Sequence, residues 1–484
     1  PVRLALARTG AAVRPVEPIG VLAVRARSVA AVARLLSGDP RVAYVERDPA
    51  LTAADVFDVV DPATAIPFTW AYDEVRAGAA LAAAGGGSSH AVAVIDTGID
   101  EGHPDLAGRI DAGFDTASGS SVVTDLVGHG TFVSGLISAV DGNGLGGRGV
   151  AGNTKIVPVR ASLDRRFSLG DVLEGMDYVI RSGADVVNLS VAGPGFTRSQ
   201  GRSLALAFLN DVLPVAASGN SGMEESTLEF PAAALGGYRG GDGIGLSVAA
   251  TRPDGRPAEF STHNDFVSVA APGADQKGCA EGVFSTIPRV AFGTLWDDAD
   301  SCSRIFSEVA GRWAYGEGTS FSAPLAAGIA ALVWQVEPEL ASEQVADVLV
   351  RSARQTLPGP RWNEFTGSGT VDGRAATALA RIYDTRPPPA RGRARRRGRR
   401  SIAVTMRRVR DRSERGHERA GNVNYAVLVS RDGGRSYELA ARPRTGPFTQ
   451  VLPLRGPRRH LFAASVCDGN GNCSSRRLGS FRAR

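Results

Sequence analysis

Short apolar runs alternate with helix-like segments through the middle of the chain, from about residue 68 to residue 384. A parallel sheet covered by helices produces this alternation, because each buried strand is followed by a helix that returns the chain to the same edge of the sheet. We therefore predict an α/β fold with a parallel sheet. The predicted strands are Ala91–Ile95, Ile156–Val159, Val186–Ser190, Leu213–Ala217, Leu246–Ala250 and Val267–Ala270.

A small patterned unit precedes this region. Apolar runs at 2–7 and 20–26, a helical pattern at 29–36 and a strand pattern at 42–46 predict a small α+β domain. The following residues, 51–65, are polar and acidic without a clear period, which indicates a linker or a processing segment.

The end of the chain has a different pattern. Strand patterns at 402–406, 425–429, 437–441 and 461–466 predict an all-β sandwich domain. Before them, Pro387–Pro389 leads into an arginine-rich run that has the composition of a linker. We divide the chain into an N-terminal domain (1–58), a central domain (59–384), a Pro/Arg-rich linker (385–400) and a β-sandwich domain (401–484).

Composition excludes several classes of protein. With 484 residues, of which 43% are hydrophobic and 22% charged, the chain is neither disordered nor fibrous. The longest apolar stretch, Phe321–Val336, is too short for a membrane span and carries Pro324 near its start, so we predict a buried helix. Only two of the 55 basic residues are Lys, and Ala and Gly are abundant, which indicates a GC-rich coding sequence and a bacterial source.

Charge is distributed unevenly along the chain. Residues 385–484 contain 25 Arg and no Lys against six acidic residues, whereas the first 384 residues carry more acids than bases. A basic surface of this kind attracts anionic polymers of the cell envelope or acidic substrates. The run lacks interleaved aromatic residues and RNA-module signatures, so we expect no nucleic-acid partner.

The four cysteines form two local pairs along the chain. Three pairings are open, and the pairing of Cys279 with Cys302 and of Cys467 with Cys473 closes the shortest loops. Two disulfides would indicate export to an oxidising compartment. The alternative is four buried free thiols.

Three segments of the central domain carry candidate chemistry. Asp96 directly follows a predicted strand, where open α/β sheets place their sites, although a strand-end Asp is often only a cap. His129 lies between two glycines at the start of a helix-like run, and a structural role is the alternative. Ser320 begins the long apolar helix, whose positive end favours a developing anion, although it could also be a capping serine.

Together these residues supply the nucleophile, base and orienting carboxylate that acyl transfer requires. Their order along the chain, with Asn220 in a turn after the fourth predicted strand, is that of the subtilisin-like serine peptidases. The chain resembles this family in four segments: Ile95–Ile99, Gly128–Thr131, Ala217–Gly222 and Gly318–Pro324.

The resemblance implies a role for each of these residues. It makes Ser320 the nucleophile, His129 the general base and then acid, Asp96 the group that orients the imidazole, and Asn220 the donor to the oxyanion. It also implies that Ser190, Gly193 and Gly219 bind substrate. Two positions depart from the family: Phe132 stands where His is frequent and Phe321 where Met is common, which bears on specificity more than on activity.

The resemblance extends to the rest of the molecule. It implies a secreted or cell-surface bacterial endopeptidase, monomeric, that cleaves proteins or peptides without an organic cofactor and is made as a zymogen whose N-terminal domain is an inhibitory propeptide. Cleavage of the propeptide would fall between about residue 48 and residue 62. Structural calcium is usual in the family, and Asp141–Gly144 has the composition of a calcium-binding turn, although an ordinary Asp-Gly turn explains it as well.

Two other functions stay open at this point. One is a catalytically silent fold that carries an adhesive tail, although the expected loss of a catalytic residue is not seen in this sequence. The other is a peptidase that cuts a single partner or only its own propeptide.

Overall fold

The structure is a computed structural model of the whole chain. It describes Leu6 and residues 11–16, 19–26, 28–37, 39–53, 69–222, 226–241, 243–274, 282–289, 303–307, 311–384, 389–409, 424–431, 438–440, 443–454, 459–468 and 472–482. The described α-helices are α1 (Val29–Ser37), α2 (Trp70–Glu74), α3 (Ala77–Ala83), α4 (His129–Ser138), α5 (Leu169–Ser182), α6 (Arg198–Leu209), α7 (Ala232–Leu235), α8 (Thr319–Val336), α9 (Ser342–Ser352) and α10 (Gly373–Ala380).

Strands are numbered in chain order in the same way. The strands up to residue 251 are β1 (Ala12–Val16), β2 (Val21–Arg25), β3 (Ala50–Ala53), β4 (Val92–Asp96), β5 (Phe114–Asp115), β6 (Ile156–Arg160), β7 (Arg166–Ser168), β8 (Val186–Leu189), β9 (Val191–Ala192), β10 (Leu213–Ala217) and β11 (Leu246–Thr251). The later strands are β12 (Val269–Pro272), β13 (Val283–Ile287), β14 (Ser303–Ser307), β15 (Gly311–Gly316), β16 (Gly392–Gly398), β17 (Ser401–Met406), β18 (Asn424–Ser430), β19 (Glu438–Leu439), β20 (Thr449–Pro453), β21 (His460–Cys467) and β22 (Cys473–Phe481).

The centre of the molecule is a seven-stranded sheet in the order β12-β11-β10-β8-β4-β6-β5, and all its strand pairs are parallel. The predicted α/β fold is therefore confirmed. All six predicted strands belong to this sheet, with ends that shift by two residues or fewer. The seventh, β5, has two residues and left no readable pattern in the sequence.

Helix α8 packs against four strands of this sheet, β8, β10, β11 and β12. Its residues are small or apolar, and every residue from Thr319 to Trp334 is buried. The helix begins two residues before the apolar stretch Phe321–Val336 and is thereby long and apolar enough by composition to span a membrane, but 89% of its 18-residue window is buried inside the protein. We therefore interpret α8 as the core helix of the fold, as its sequence predicts.

The N-terminal region packs onto the central sheet within one compact unit, Pro1–Ala380. Strands β1 and β2 pair antiparallel, and β3 lies between β7 and β9. The strand predicted at 42–46 is wrong, because these residues have no regular structure, and the strand lies instead at Ala50–Ala53, inside the stretch that we predicted as a linker. The side chains near residue 46 bind helix ends instead, as described below.

The C-terminal unit, Arg381–Arg484, contains a three-stranded sheet, β16-β17-β20, and a four-stranded sheet, β19-β18-β21-β22. Apolar side chains of both sheets form one core, to which β17, β18, β20 and β21 contribute. This arrangement agrees with the predicted β-sandwich.

The predicted linker at 385–400 differs from the structure, because Gly392–Gly398 is a strand paired antiparallel with β17. The arginine-rich composition led to the prediction of a linker, but in this strand Arg393, Arg395 and Arg397 are the exposed, alternate positions. The domain boundaries predicted at 58 and at 385 fall outside the described residues and stay predictions.

Candidate active site

Asp96 and His129 meet at the carboxyl edge of the central sheet. Strand β4 ends on Asp96, and α4 begins on His129. The Nδ1 atom of His129 lies 2.7 Å from Oδ1 and 2.9 Å from Oδ2 of Asp96. The side-chain exposures are only 1% for His129 and 0% for Asp96. Because a carboxylate only accepts hydrogen bonds, this contact places a proton on Nδ1 and leaves Nε2 of the neutral ring as the proton acceptor.

Close backbone packing brings the two elements together. A Cβ atom on Gly130 would lie 2.2 Å from the carbonyl oxygen of Gly98, so only glycine allows the start of α4 to approach the end of β4 this closely. The backbone N–H of Gly130 donates to Oγ1 of Thr97 at 2.9 Å. Of the two glycines that flank His129, Gly130 is therefore required by the packing of α4 against the end of β4.

Asp125 holds the loop that leads into His129. It is 1% exposed and accepts five hydrogen bonds of 2.7 to 2.9 Å. The donors are Thr97 Oγ1 and the backbone N–H of Val127 and Gly128 on one carboxylate oxygen, with Thr131 N and Thr131 Oγ1 on the other. This carboxylate thus connects the residue after Asp96 with both sides of His129.

Asp100 links the segment that follows Asp96 to Arg289, which lies two residues after β13. Burial raises the pKa of the Asp100 carboxyl, but hydrogen bonds from the side chain and backbone of Arg289 and from the Gly102 N–H outweigh it, and the pKa lies below its usual value. The backbone N–H of Asp100 donates to Oγ1 of Thr131 at 3.0 Å. Asp100 is therefore an ionised anchor for the chain between Asp96 and the loop of Asp125.

Ser320 is the second residue of α8 and is fully buried. Its hydroxyl donates to the carbonyl oxygen of Ser190 at 3.0 Å, and the Ser190 hydroxyl donates to the carbonyl oxygen of Ser320 at 2.7 Å. The predicted substrate-binding residue Ser190 thus fixes the first turn of α8. The next residue, Phe321, packs its ring 5.7 Å from the His129 ring, between centroids, which brings the starts of α8 and α4 together.

Asn220 lies beside the same helix end. Its Oδ1 accepts from the backbone N–H of Thr319 at 3.1 Å and from Thr319 Oγ1 at 2.8 Å. Because both partners are donors, Oδ1 must face Thr319 and Nδ2 must face the opposite way. This Nδ2 is buried and has no hydrogen-bond partner among the described residues. A buried amide donor without an acceptor, next to Ser320, is suited to bind an oxyanion.

The two family departures contact each other. Phe132 and Phe321 are fully buried, and their ring centroids lie 4.3 Å apart. A Cβ on Gly316 would lie 2.6 Å from the Phe321 ring and 3.3 Å from the Phe132 ring, so both rings pack closely against this glycine. The aromatic residues at both positions therefore form one packed unit beside His129.

Strand β9 directly follows Ser190, whose carbonyl accepts from the Ser320 hydroxyl, and β3 lies between β9 and β7. On one side β9 pairs antiparallel with β3, with Thr52 opposite Ala192 and Ala53 opposite Val191. Beyond β9, Gly193 exchanges two backbone hydrogen bonds with Phe230, of 2.8 and 3.1 Å. We call the space between β7 and β9, continuing to Ser190, the substrate cleft.

Gly219 lines the far side of this site. Its φ is +109°, and its N–H donates to Thr319 Oγ1 at 3.2 Å. A Cβ at this position would lie 1.2 Å from Oε2 of Glu229. The three predicted substrate-binding residues, Ser190, Gly193 and Gly219, thus border the same site as Ser320 and Asn220.

The turn Asp141–Gly144, whose composition also suits an ordinary Asp-Gly turn, has contacts that do not favour calcium. Arg148 donates to Asp141 at 3.0 Å, and the side-chain oxygen of Asn143 accepts from the Leu145 N–H at 2.9 Å. The buried carboxylate nearby, Asp105, accepts from three N–H groups, those of Asn143, Gly147 and Trp313. Oxygens already bound to N–H donors and to an arginine are poor calcium ligands.

Of the predicted cysteine pairs, Cys467 and Cys473 form a disulfide that joins β21 to β22. Cys279 and Cys302 lie outside the described residues. Their predicted pairing stays a prediction.

The sequence did not single out Asp125 and Glu229. Asp125 precedes His129 by four residues in a segment without a readable motif, and its donors come from two segments. Glu229 lies in a segment without a motif that suggests chemistry, and its approach to Gly219 depends on the fold.

Comparisons with known proteins agree with this geometry. The sequence model of the subtilase family, Peptidase_S8, matches residues 87–369. The chain is 34% identical over 269 residues to the thermophilic serine proteinase of Bacillus sp. (strain AK1), covering 54% of this chain and 57% of that protein. It is 30% identical over 340 residues to M-protease of Shouchella clausii (strain KSM-K16), covering 70% of this chain and 75% of that protein.

Among solved structures, the chain is similar to a protease from Pseudoalteromonas arctica. The TM-score is 0.55 at 27% sequence identity, covering 66% of this chain and 99% of that chain. The family match extends over more than half of the chain and includes Asp96, His129, Asn220 and Ser320. The chain therefore belongs to the subtilase family of serine-type endopeptidases.

Proposed function

We propose that the protein is an exported endopeptidase that hydrolyses peptide bonds through an acyl-enzyme on Ser320 and is made as a zymogen. One observation carries the catalytic part of this proposal: Nδ1 of the buried His129 contacts both oxygens of the buried Asp96, next to the helix end that bears Ser320. A buried, oriented imidazole with a proton-accepting second nitrogen is the base that a serine nucleophile requires.

In the acylation step, Ser320 Oγ forms a bond to the carbonyl carbon of the scissile peptide while Nε2 of His129 takes the hydroxyl proton. The carbonyl π electrons move to its oxygen, which Asn220 Nδ2 stabilises together with the N-terminal end of α8. The carbon–nitrogen bond then breaks, and the leaving amine takes the proton from His129. Removing a side-chain donor to such an oxyanion typically costs about 3 kcal/mol of transition-state stabilisation.

Deacylation repeats these steps with water. His129 takes a proton from the attacking water, whose oxygen bonds to the acyl carbon, and then returns the proton to Ser320 Oγ as the ester bond breaks. Asp96 stays ionised throughout and stabilises the imidazolium. Side chains and the N-terminal end of α8 supply all these groups, so the chemistry requires no organic cofactor.

The zymogen part of the proposal is supported by β3, which fills the substrate cleft as an extended antiparallel strand. Leu51 pairs with Phe167 on β7, and Thr52 pairs with Ala192 on β9. Leu51 is fully buried in the same core as strands of the central sheet. A peptide substrate would bind by adding a strand at this place, so β3 excludes substrate while it remains there.

Charged contacts hold the N-terminal region on two helices. The carboxylate of Glu46 accepts the backbone N–H groups of Arg198 and Ser199, at 3.0 Å each, at the start of α6. Asp48 accepts from Leu169 N–H at 2.6 Å at the start of α5. Carboxylates at helix N-termini are stabilised by the unpaired N–H groups and by the helix dipole.

Export and envelope binding form the remaining part of the proposal. The Cys467–Cys473 disulfide supports an oxidising compartment. The arginines of β16 support a salt-dependent attraction between the C-terminal unit and anionic envelope polymers.

The test is a time course of intact mass for the wild type, Ser320→Ala and Ser322→Ala, combined with labelling by a phosphonate probe of active-site serines. Ser322 lies in the same helical turn and donates to the Pro272 carbonyl, which makes it a matched control. We expect loss of roughly the first 60 residues and labelling in the wild type and Ser322→Ala but not in Ser320→Ala. The reason is that β3 ends at Ala53 opposite Val191, and the neighbouring Ser190 contacts Ser320.

Two outcomes would contradict the proposal in different ways. A full-length, unlabelled wild type would overturn the catalytic proposal and favour a silent binding protein. If the wild type is labelled but keeps its N-terminus, Ser320 is an active nucleophile and the proposal of self-processing is wrong.

A further inference from the structure

The carboxylate of Glu229 lies at the site of the proposed chemistry. Its Oε2 would lie 1.2 Å from a Cβ on Gly219, so it covers the α-carbon of the residue that precedes Asn220. The backbone of the following residue, Phe230, exchanges two hydrogen bonds with the backbone of Gly193. Glu229 is therefore held between the two segments that border the site, at 190–193 and 218–220.

The charge of Glu229 has no cationic partner among the described residues. Ser221 Oγ donates to Oε1 at 2.6 Å, and Thr262 Oγ1 donates to Oε2 at 3.0 Å. These hydroxyls orient the carboxylate but carry no positive charge. A partly buried carboxylate with neutral partners attracts a cation strongly, because solvent screens it less than at an open surface.

A substrate places one side chain near this carboxylate. The scissile carbonyl oxygen must meet Asn220 Nδ2 and its carbon must meet Ser320 Oγ, so the α-carbon of the same residue lies beside Gly219 and Asn220. We infer that Glu229 makes the endopeptidase select Lys or Arg at the position immediately before the scissile bond. This inference rests on the proposed function, because it concerns the substrate of that site.

The N-terminal region does not contradict this selectivity. Residues 48–75 contain no Lys and no Arg, so a self-cleavage between about 48 and 62 would not use the carboxylate. The pairing of β3 with β7 and β9 already holds that segment in the cleft. An intramolecular reaction gains a high effective concentration and does not depend on the side-chain pocket.

The experiment compares three peptide substrates that are identical except for Lys, norleucine or Phe before the scissile bond. Norleucine keeps the apolar stem of Lys and removes the charge. The enzymes are the full-chain wild type, Glu229→Gln and the control Glu339→Gln, an exposed glutamate in the loop before α9. Each is titrated with a serine-directed phosphonate, so that kcat/KM refers to active enzyme.

We expect the wild type and Glu339→Gln to prefer Lys over norleucine by about tenfold to a hundredfold in kcat/KM, as for a partly desolvated charge pair. Glu229→Gln should lose this preference, because its kcat/KM for the Lys peptide should fall to about the value for the norleucine peptide.

An active wild type that hydrolyses the norleucine or Phe peptide as well as the Lys peptide would overturn this inference alone, and this comparison does not depend on whether the variant folds. A Glu229→Gln enzyme that keeps the Lys preference would also overturn it. Failure of the phosphonate to label Ser320 would overturn the proposed function and this inference with it.

Discussion

At the residue scale, the site depends on one carboxylate that does not touch the reacting atoms. Asp125 accepts hydrogen bonds from residues on both sides of His129 and from the residue after Asp96. Its partners include three backbone N–H groups of the loop before α4 and the first turn of α4, so the carboxylate accepts hydrogen bonds that a helix or sheet would otherwise accept. The orientation of the imidazole therefore depends on Asp125 as well as on Asp96.

Asp125→Asn should lower kcat and leave KM nearly unchanged. An asparagine keeps one accepting oxygen, but its NH2 group would face the two donors of Thr131, leaving a buried donor opposite other donors. We expect a loss of about 2 kcal/mol in the free energy of unfolding and a fall in kcat of about tenfold to a hundredfold, since small misplacements of a catalytic group are costly.

The measurements are urea unfolding and steady-state kinetics on titrated enzyme, with Asp254→Asn, in an exposed turn, as the control. A variant that loses stability but keeps the wild-type kcat would show that Asp125 acts only on folding.

The sequence predicted the residues that come from short motifs, because their chemistry and spacing are local. Asp96, His129, Asn220 and Ser320 each lie in a recognisable segment, and the fold brings these segments together. Glu229 could not be predicted, because its position depends on the approach of two segments that share no local pattern.

At the element scale, β16 shows how composition can hide a strand. Its burial alternates along Gly392–Gly398, and the exposed positions are Arg393, Arg395 and Arg397. It is the edge strand of its sheet, beside β17. Arginines along an edge prevent pairing with another chain and form a line of positive charge. Arg396 interrupts the alternation of small residues with Arg along this run, and the high charge led us to predict a linker.

Replacing Arg393, Arg395 and Arg397 together with Gln should weaken retention on an anionic polymer surface. Each side chain is exposed, so the attraction is screened by salt, and we expect the variant to elute at clearly lower salt than the wild type. The measurement is the elution salt concentration on an immobilised polyphosphate matrix.

The control replaces three exposed arginines of the first compact unit, Arg202, Arg256 and Arg374, with Gln, which removes the same net charge. Equal shifts in both variants would mean that only net charge matters and that β16 is not a binding surface.

At the scale of the whole molecule, the chain forms two compact units with separate cores. The first, Pro1–Ala380, shares one core between the N-terminal region and the central sheet, with Val16 and Leu51 packed among residues such as Ile95. The sequence predicted the sheet well, because buried parallel strands are continuous apolar runs. It did not predict that β3 would add to the cleft, because Ala50–Ala53 is short and its partners are distant in sequence.

Removing the Cys467–Cys473 disulfide should destabilise the C-terminal unit alone. The bridge closes a short loop between β21 and β22, and loop entropy assigns such a bridge about 2 kcal/mol. In a Cys467→Ser/Cys473→Ser variant we expect the free energy of unfolding of this unit to fall by about that amount. The catalytic residues belong to the other unit, so kcat/KM should not change.

Calorimetry of the Ser320→Ala background, which avoids self-digestion, should then show one transition shifted to lower temperature and one unshifted. The matched control replaces Ser465 with Ala on the same strand, where Cys467 is retained. A shift of both transitions by the same amount would show that the two units unfold as one cooperative body, in which case the separate cores do not define independent domains.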